Sequence, residues 1–306
     1  VNKKESPLAR LLAELSGPEQ PSVNTRLVYL SGLGGNEIEL LRQTWTRITP
    51  ERQYQILSHL FRLSEHNPTL DFDHIFGLCL QASDERVRLQ AVIGLERTED
   101  VSFIVPLIHL LETDEAKKVR AAAAIVLGNF ALLAELGKLS PNHRARIYSA
   151  LIGVLEKEGE SVAVKRRALE SIAPFSRPRV DEFINQAYHS NDVELKASAI
   201  YAMGRNCNPK WLPIVIKELS NSEPEIHYEA AEACGELEAE EAVPFLINLV
   251  DDDEAQVPEA AIRALGKIGG EEVKKTLQSL LGSPEERIRQ VAKVALTELI
   301  FWEELL

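Results

Sequence analysis

The densest set of groups that could do chemistry in this chain is Asp71-Phe72-Asp73-His74. Two carboxylates and an imidazole within four residues are donors that a divalent cation accepts. The same residues suit a plainer task, because aspartate at a helix start takes a hydrogen bond from a free backbone N–H. Ile75, Leu78 and Cys79 follow at helical spacing, so Asp71 or Asp73 is read as a cap. His59 and His66 are seven apart and share one helix face, whose polar side accounts for them. His109, His143, His189 and His227 are scattered along the chain. Three cysteines, Cys79, Cys207 and Cys234, form no CxxC pair and suggest neither zinc nor a redox dithiol. Cys79 and Cys234 lie among apolar residues and read as small buried side chains. No GxSxG, phosphate-binding glycine loop or GxGxxG occurs. The expectation is a protein that is not an enzyme, with no cofactor and no metal.

A second constellation points to binding. Between Glu218 and Ile262 there are 14 acidic residues and no Lys or Arg, whereas the whole chain is −13. One helix in this window carries Ile226, Ala230, Cys234 and Leu237 on its core side. Glu225, Glu229, Glu232 and Glu236 then form a stripe at i, i+4, i+7 and i+11 on another face. Like charges at that spacing weaken a helix by a few tenths of a kcal/mol per pair, and they set up a local negative field. Tyr201, Arg205, Tyr228, Arg263 and Lys267 fall in neighbouring exposed columns, and Tyr and Arg are common interface anchors. The expected site is a strip of Arg166, Arg167, Tyr201, Arg205, Tyr228, Glu229, Glu232, Glu236 and Arg263. Its partner is expected to be a protein, with a basic segment on the acidic section. A solubilising surface is the bland alternative. Nucleic acid is not expected, since the acidity opposes phosphate.

These residues are positioned by a repeat. An apolar anchor followed at +4 and +8 by a small and an apolar residue recurs as Val87/Ala91/Leu95, Val119/Ala123/Leu127, Val164/Ala168/Ile172 and Leu195/Ala199/Met203. It continues as Ile226/Ala230/Cys234, Val257/Ala261/Leu265 and Ile288/Ala292/Leu296. Successive anchors are 32, 45, 31, 31, 31 and 31 residues apart. Such a period marks stacked helical hairpins, because one hairpin cannot bury its apolar face alone. An acidic residue stands three before the anchor at Asp84, Asp192, Glu223, Glu254 and Glu285, where the helix dipole favours an anion. A basic residue follows it at Arg88, Arg120, Lys165, Lys196 and Arg289. Gly128, Gly204, Gly235 and Gly266 stand at +9, where the helix finishes or packs tightly. Between these helices lie others with Pro106, Pro213 and Pro244 near their starts.

The D-x-x-V-R-x-x-A-x-x-x-L pattern of Asp84, Val87, Arg88, Ala91 and Leu95 resembles that of HEAT-repeat proteins, in particular the bacterial HEAT-like group with short repeats. The resemblance covers about residues 70–306 and implies an all-α fold, an α-α superhelix (alpha solenoid) of about seven hairpins. It further implies a ladder between the acidic and basic columns and a concave face lined by the anchor-bearing helices. On this basis the expected function is a scaffold or adaptor that holds a partner on a concave strip. Some relatives by repeat are enzymes. Deoxyhypusine hydroxylase, similar in its repeats alone, binds iron through His-Glu dipeptides, and none occurs here. Phycobilin lyases also resemble the repeat, so an enzyme or enzyme subunit of these kinds is the alternative. HEAT-like DNA glycosylases need a cationic groove, which the acidic units oppose.

Residues 1–69 do not follow the period and are expected to cap the solenoid formed by residues 70–306. In the cap, Leu8–Leu15, Thr25–Leu33 and Glu37–Ile48 read as helices. A fourth starts at Thr49-Pro50 and ends at Asn67-Pro68, and Gly17-Pro18 and Pro21 make a linker. The 14 extra residues between Val119 and Val164 read either as a tolerated loop or as a helix running on through Ala116–Leu136, with Ser140-Pro141 opening the next. Phe301 and Trp302 are expected to fold back on the last hairpin; otherwise they mark a weak homodimer of an otherwise monomeric protein. No apolar run approaches the ~18 residues of a membrane span and no basic-then-apolar leader opens the chain, so the expected location is cytoplasmic. Val1 in place of methionine leaves room for further N-terminal sequence.

Overall fold

The computed structural model describes residues 6–17, 25–252 and 256–305. Among these residues there are only helices and turns, with no strand. The helices are α1 (Pro7–Ser16), α2 (Gly35–Trp45), α3 (Pro50–His66), α4 (Asp73–Cys79), α5 (Glu85–Gly94), α6 (Ile104–Thr113), α7 (Lys117–Glu135) and α8 (Pro141–Glu156). They continue as α9 (Val162–Ile172), α10 (Pro178–Tyr188), α11 (Val193–Asn206), α12 (Leu212–Glu218), α13 (Pro224–Glu236), α14 (Val243–Asn248), α15 (Val257–Ile268), α16 (Glu271–Leu280) and α17 (Glu286–Leu305). From α4 onward fourteen helices follow one another in sequence, and the chain has the α-α superhelix fold. No helix among the described residues is long and apolar enough to cross a membrane. The chain divides into two compact units, Val1–Val154 and Leu155–Leu306. Residue 70, where the sequence period starts, lies inside the first unit.

In the first unit α3 packs on α5 and α5 on α7, so α3 takes the place of a repeat helix ahead of the first anchor. Ser58 donates to Gln90 across that contact at 3.3 Å. Thr49 caps α3 by accepting from the Arg52 N–H, with Pro50 at the first helical position. Thr25–Leu30 forms a 3-10 helix rather than an α-helix. The linker read at Pro18 and Pro21 lies outside the described residues. The extra residues after Val119 are helical: α7 runs 19 residues and α8 16, and the two are separated by a short turn at Leu136–Ser140. The loop alternative is thereby corrected. Alanines through α7 keep it helical, and Ser140 restarts the chain by accepting from the His143 N–H.

In the second unit α9, α11, α13, α15 and α17 pack in succession, and α10, α12, α14 and α16 each cover the helix that follows. The anchor triads make this core. Val164, Ala168 and Ile172 are fully buried, as are Ala230, Cys234, Ala261 and Leu265; Leu195 and Leu296 are half-buried. Close approach depends on the glycine column. A Cβ on Gly204 would sit 2.8 Å from Ala233 Cα, and one on Gly235 would sit 2.7 Å from Ala264 Cα. Asp192 caps α11 through the Leu195 N–H, as Asp84 caps α5 through Arg86. Glu223 stands at the start of α13 without a side-chain cap bond, and Glu254 lies outside the described residues. The basic column works partly within each hairpin. Arg88, Arg120 and Arg289 each donate to two carbonyls five and six residues earlier. Arg88 also pairs with Asp114, and Lys196 with Glu218, both in the next hairpin.

Phe301 and Trp302 do not fold back. They continue α17, touch edge-to-face at 5.7 Å, and remain 56% and 62% exposed. Straight helical geometry carries them past the core-facing Ala295 and Leu299, so their rings point away from the packed side.

Candidate functional site

Helices α11, α13 and α15 lie side by side, and their solvent-facing residues enclose a groove of about 720 Å³. Its walls include Tyr201 and Arg205 from α11, Tyr228, Glu229, Glu232 and Glu236 from α13, and Arg263 from α15. Seven of the nine residues expected from sequence therefore share one surface. Gln256, Glu259 and Arg287 also line it and were not expected. Arg166 and Arg167 do not. Arg166 is spent on Ser198 at 2.9 Å, Glu194 at 2.5 Å and Glu225 at 3.0 Å, and Arg167 pairs with Glu170 at 2.6 Å.

The repeat period explains the groove's electrostatics. Equivalent residues of successive repeats are 31 apart and stack on one another. At ten after the anchor the column runs Arg205, Glu236, Lys267. Glu236 pairs with Arg205 at 3.3 Å and with Lys267 at 2.7 Å. At six after the anchor it runs Tyr201, Glu232, Arg263, and Glu232 pairs with Arg263 at 2.6 Å. Arg263 also reaches Tyr228 Oη at 3.4 Å, and Glu259 pairs with Arg287. Much of the acidic stripe is thus neutralised by cations that lie outside the acidic window in sequence. Glu259 and Arg287 stand at different places in their repeats, two after one anchor and one before the next, so the periodic columns did not signal that pair.

Burial raises the Glu236 carboxyl, but Lys267 and Arg205 outweigh it and hold the pKa below the usual carboxylate value. Glu229 goes the other way. Burial, with Glu170, Glu232 and Glu225 nearby, pushes it up to about 8, and the opposing field of Arg166 is too weak to restore it. Burial also raises the Tyr201 and Tyr228 phenols.

Elsewhere the sequence's other candidates resolve as structure. Asp71 accepts from the Asp73 N–H at 2.9 Å as a cap, and Asp73 accepts from the Thr98 hydroxyl at 2.5 Å. Cys79 and Cys234 are buried thiols, both raised to about 12 by burial. Among the described residues no three His, Cys, Asp or Glu converge as metal donors.

Residues 212–297 match a family model described as HEAT repeats. These residues are thus HEAT repeats, set in a chain whose other described residues are likewise helical. Among solved structures, a chain in the complex of Kap95p with RanGDP is 12% identical, with 95% of this chain and 45% of that chain covered and a TM-score of 0.50. Human deoxyhypusine hydroxylase is 18% identical over 96% of both chains, at a TM-score of 0.38. The Escherichia coli protein YibA is 15% identical, with 80% and 96% covered and a TM-score of 0.44. No curated protein matches the sequence. These likenesses concern the fold; the groove is what bears on function.

Proposed function

We propose that this protein is a non-catalytic scaffold or adaptor that holds a partner protein along the α11–α13–α15 face, on the concave side of its repeats. The observation that carries this reading is the groove itself. It joins two half-exposed tyrosines to a ladder of arginines and glutamates, and tyrosine and arginine are common interface anchors. Apart from Glu229, its glutamates are held by neighbouring cations, so most of the surface is ordered before a partner arrives and loses little side-chain entropy on binding. The unit that carries it has 17 Lys+Arg against 29 Asp+Glu, a net −12, which favours a basic protein segment and opposes nucleic acid.

The test is affinity capture from the source cell with wild type, Tyr228→Ala and Glu232→Lys, with Lys275→Ala on the exposed side of α16 as control. The expected result is a partner held by wild type and Lys275→Ala and lost by both groove variants. Equal capture by all four proteins would move the interface off this face.

A further inference from the structure

Among the glutamates lining the groove, Glu229 alone has no ion pair or hydrogen bond among the described residues. Glu232 is held by Arg263, Glu236 by Arg205 and Lys267, and Glu259 by Arg287. Glu229 stands three after its anchor, so the α11 residue in its column is Ser198. That hydroxyl is already engaged, donating to Glu170 at 2.6 Å and accepting from Arg166 at 2.9 Å. The groups acting on Glu229 are Arg166 and Glu170 from α9, Tyr201 from α11, and Glu225, Tyr228 and Glu232 from its own helix. From α11 and α15, Arg205 and Arg263 line the same groove but are committed to Glu236 and Glu232. Around Glu229, the five carboxylates Glu170, Glu194, Glu225, Glu229 and Glu232 share the guanidinium groups of Arg166, Arg167 and Arg263 and the ammonium of Lys267, which reaches Glu232 at 3.7 Å but sits closer to Glu236. The cluster is short of cations at one identifiable oxygen pair, beside open volume walled by two aromatic rings.

We propose that the groove is a subsite for one cationic side chain, an arginine or lysine on an extended segment of the partner protein. Its head pairs with the Glu229 carboxylate and its aliphatic stem lies along Tyr201 and Tyr228. This rests on the reading of the groove as the partner-binding face. The tyrosine rings suit such a guest, since an aromatic face attracts a cation and packs against its stem. A cation arriving at Glu229 also converts the neutral carboxyl to carboxylate. The O–H bond breaks, the proton leaves to solvent, and the carboxylate remains paired with the guest. Because burial and like charge hold that proton up to about pH 8 in the empty groove, binding is coupled to its release. Affinity falls as pH drops below that value, by up to ~tenfold per pH unit, and levels off above it.

The probes are N-acetyl-arginine amide and its uncharged citrulline counterpart, titrated into the full chain labelled with 13C in glutamate and tyrosine, at pH 6 and pH 8.5. The arginine compound is expected to shift the Tyr201, Tyr228 and Glu229 signals, and to bind at least about tenfold more tightly at pH 8.5. The citrulline compound should leave them unmoved. Glu229→Gln, nearly the same in size and uncharged, should fold normally and lose both the affinity and its pH dependence. Equal binding by Glu229→Gln, equal binding of citrulline, or no pH dependence overturns the subsite. So does spermidine binding with this pH slope while the arginine compound does not bind, which would give the site to a free polyamine. In the capture experiment, loss of the partner by Tyr228→Ala with full retention by Glu229→Gln sinks the subsite and leaves the face as the interface. Retention by both sinks the face itself.

Discussion

Glu229 has a consequence for stability whatever binds there. Its ordinary pKa is 4.5, and burial with nearby carboxylates raises it to about 8 in the folded protein. Between those values the unfolded chain has released this proton and the folded chain still holds it. Stability therefore declines as pH rises through that window, and the loss is complete above about pH 8. Glu229→Gln should match wild type at pH 5 and be more stable at pH 9, by about 2 kcal/mol once water access to a half-buried carboxyl is allowed for. Urea midpoints at pH 5, 7 and 9 measure this, and a difference that does not change with pH would contradict it. Asn206 predicts the opposite sign. Its amide donates to the Ala173 carbonyl at 2.8 Å and accepts from Trp211 Nε1 at 3.0 Å, tying three elements together out of reach of water. Asn206→Ala leaves both partners unsatisfied and should cost about 2–4 kcal/mol at every pH, read from the same urea curves.

The elements are spaced by what their glycines and alanines allow. Gly235 in α13 faces Ala264 of α15 so closely that an added methyl would meet the Ala264 backbone. Gly235→Ala is expected to destabilise by about 1–3 kcal/mol, since two rigid helices must part. Gly153 in α8 has open space at its Cβ, and Gly153→Ala should instead stabilise by about 0.5–1 kcal/mol through helix propensity. Thermal unfolding of the two variants gives the sign of each, and a stabilised Gly235→Ala would show that the α13–α15 contact yields. This tight row was open to sequence reasoning because its cause is periodic: anchor, alanine and glycine recur at 31 residues and each is buried or crowded. The charged columns recur just as regularly. Counting Glu225, Glu232 and Glu236 as one acidic stripe hid this, because their partners Arg166, Arg263 and Lys267 belong to other repeats and come close only once helices stack. Glu229 could not be singled out from its neighbours along the helix, since what distinguishes it is the absence of a cation opposite. The helical insertion at α7 and α8 was left open for a related reason. An alanine-rich run continues a helix unless a breaker intervenes, and Gly128 alone does not break it.

At the scale of the whole molecule, energy is distributed along the chain one repeat at a time. Side-chain ties join neighbours about one period apart: Ser58 to Gln90 over 32 residues, Asn129 to Glu96 over 33, Asn206 to Ala173 over 33, and Arg263 to Glu232 over 31. Arg166 reaches Glu225, two repeats away, over 59. With contacts of this range, stability approximates a sum of repeat terms and nearest-neighbour terms, and damage stays local. Leu246 of α14 is fully buried against the groove-bearing part of the row. Leu246→Ala should remove about 2–4 kcal/mol from that neighbourhood. Amide exchange should then accelerate in α13, α14 and α15, while α5 and α7 in the first compact unit keep wild-type protection. Partner binding should weaken in step with exchange at α13, because the Glu229 subsite and the Tyr228 wall both depend on that helix. A uniform rise in exchange over the chain would instead mean that it opens as one cooperative body. The groove's order would then be set by the whole stack rather than by the three helices that form it.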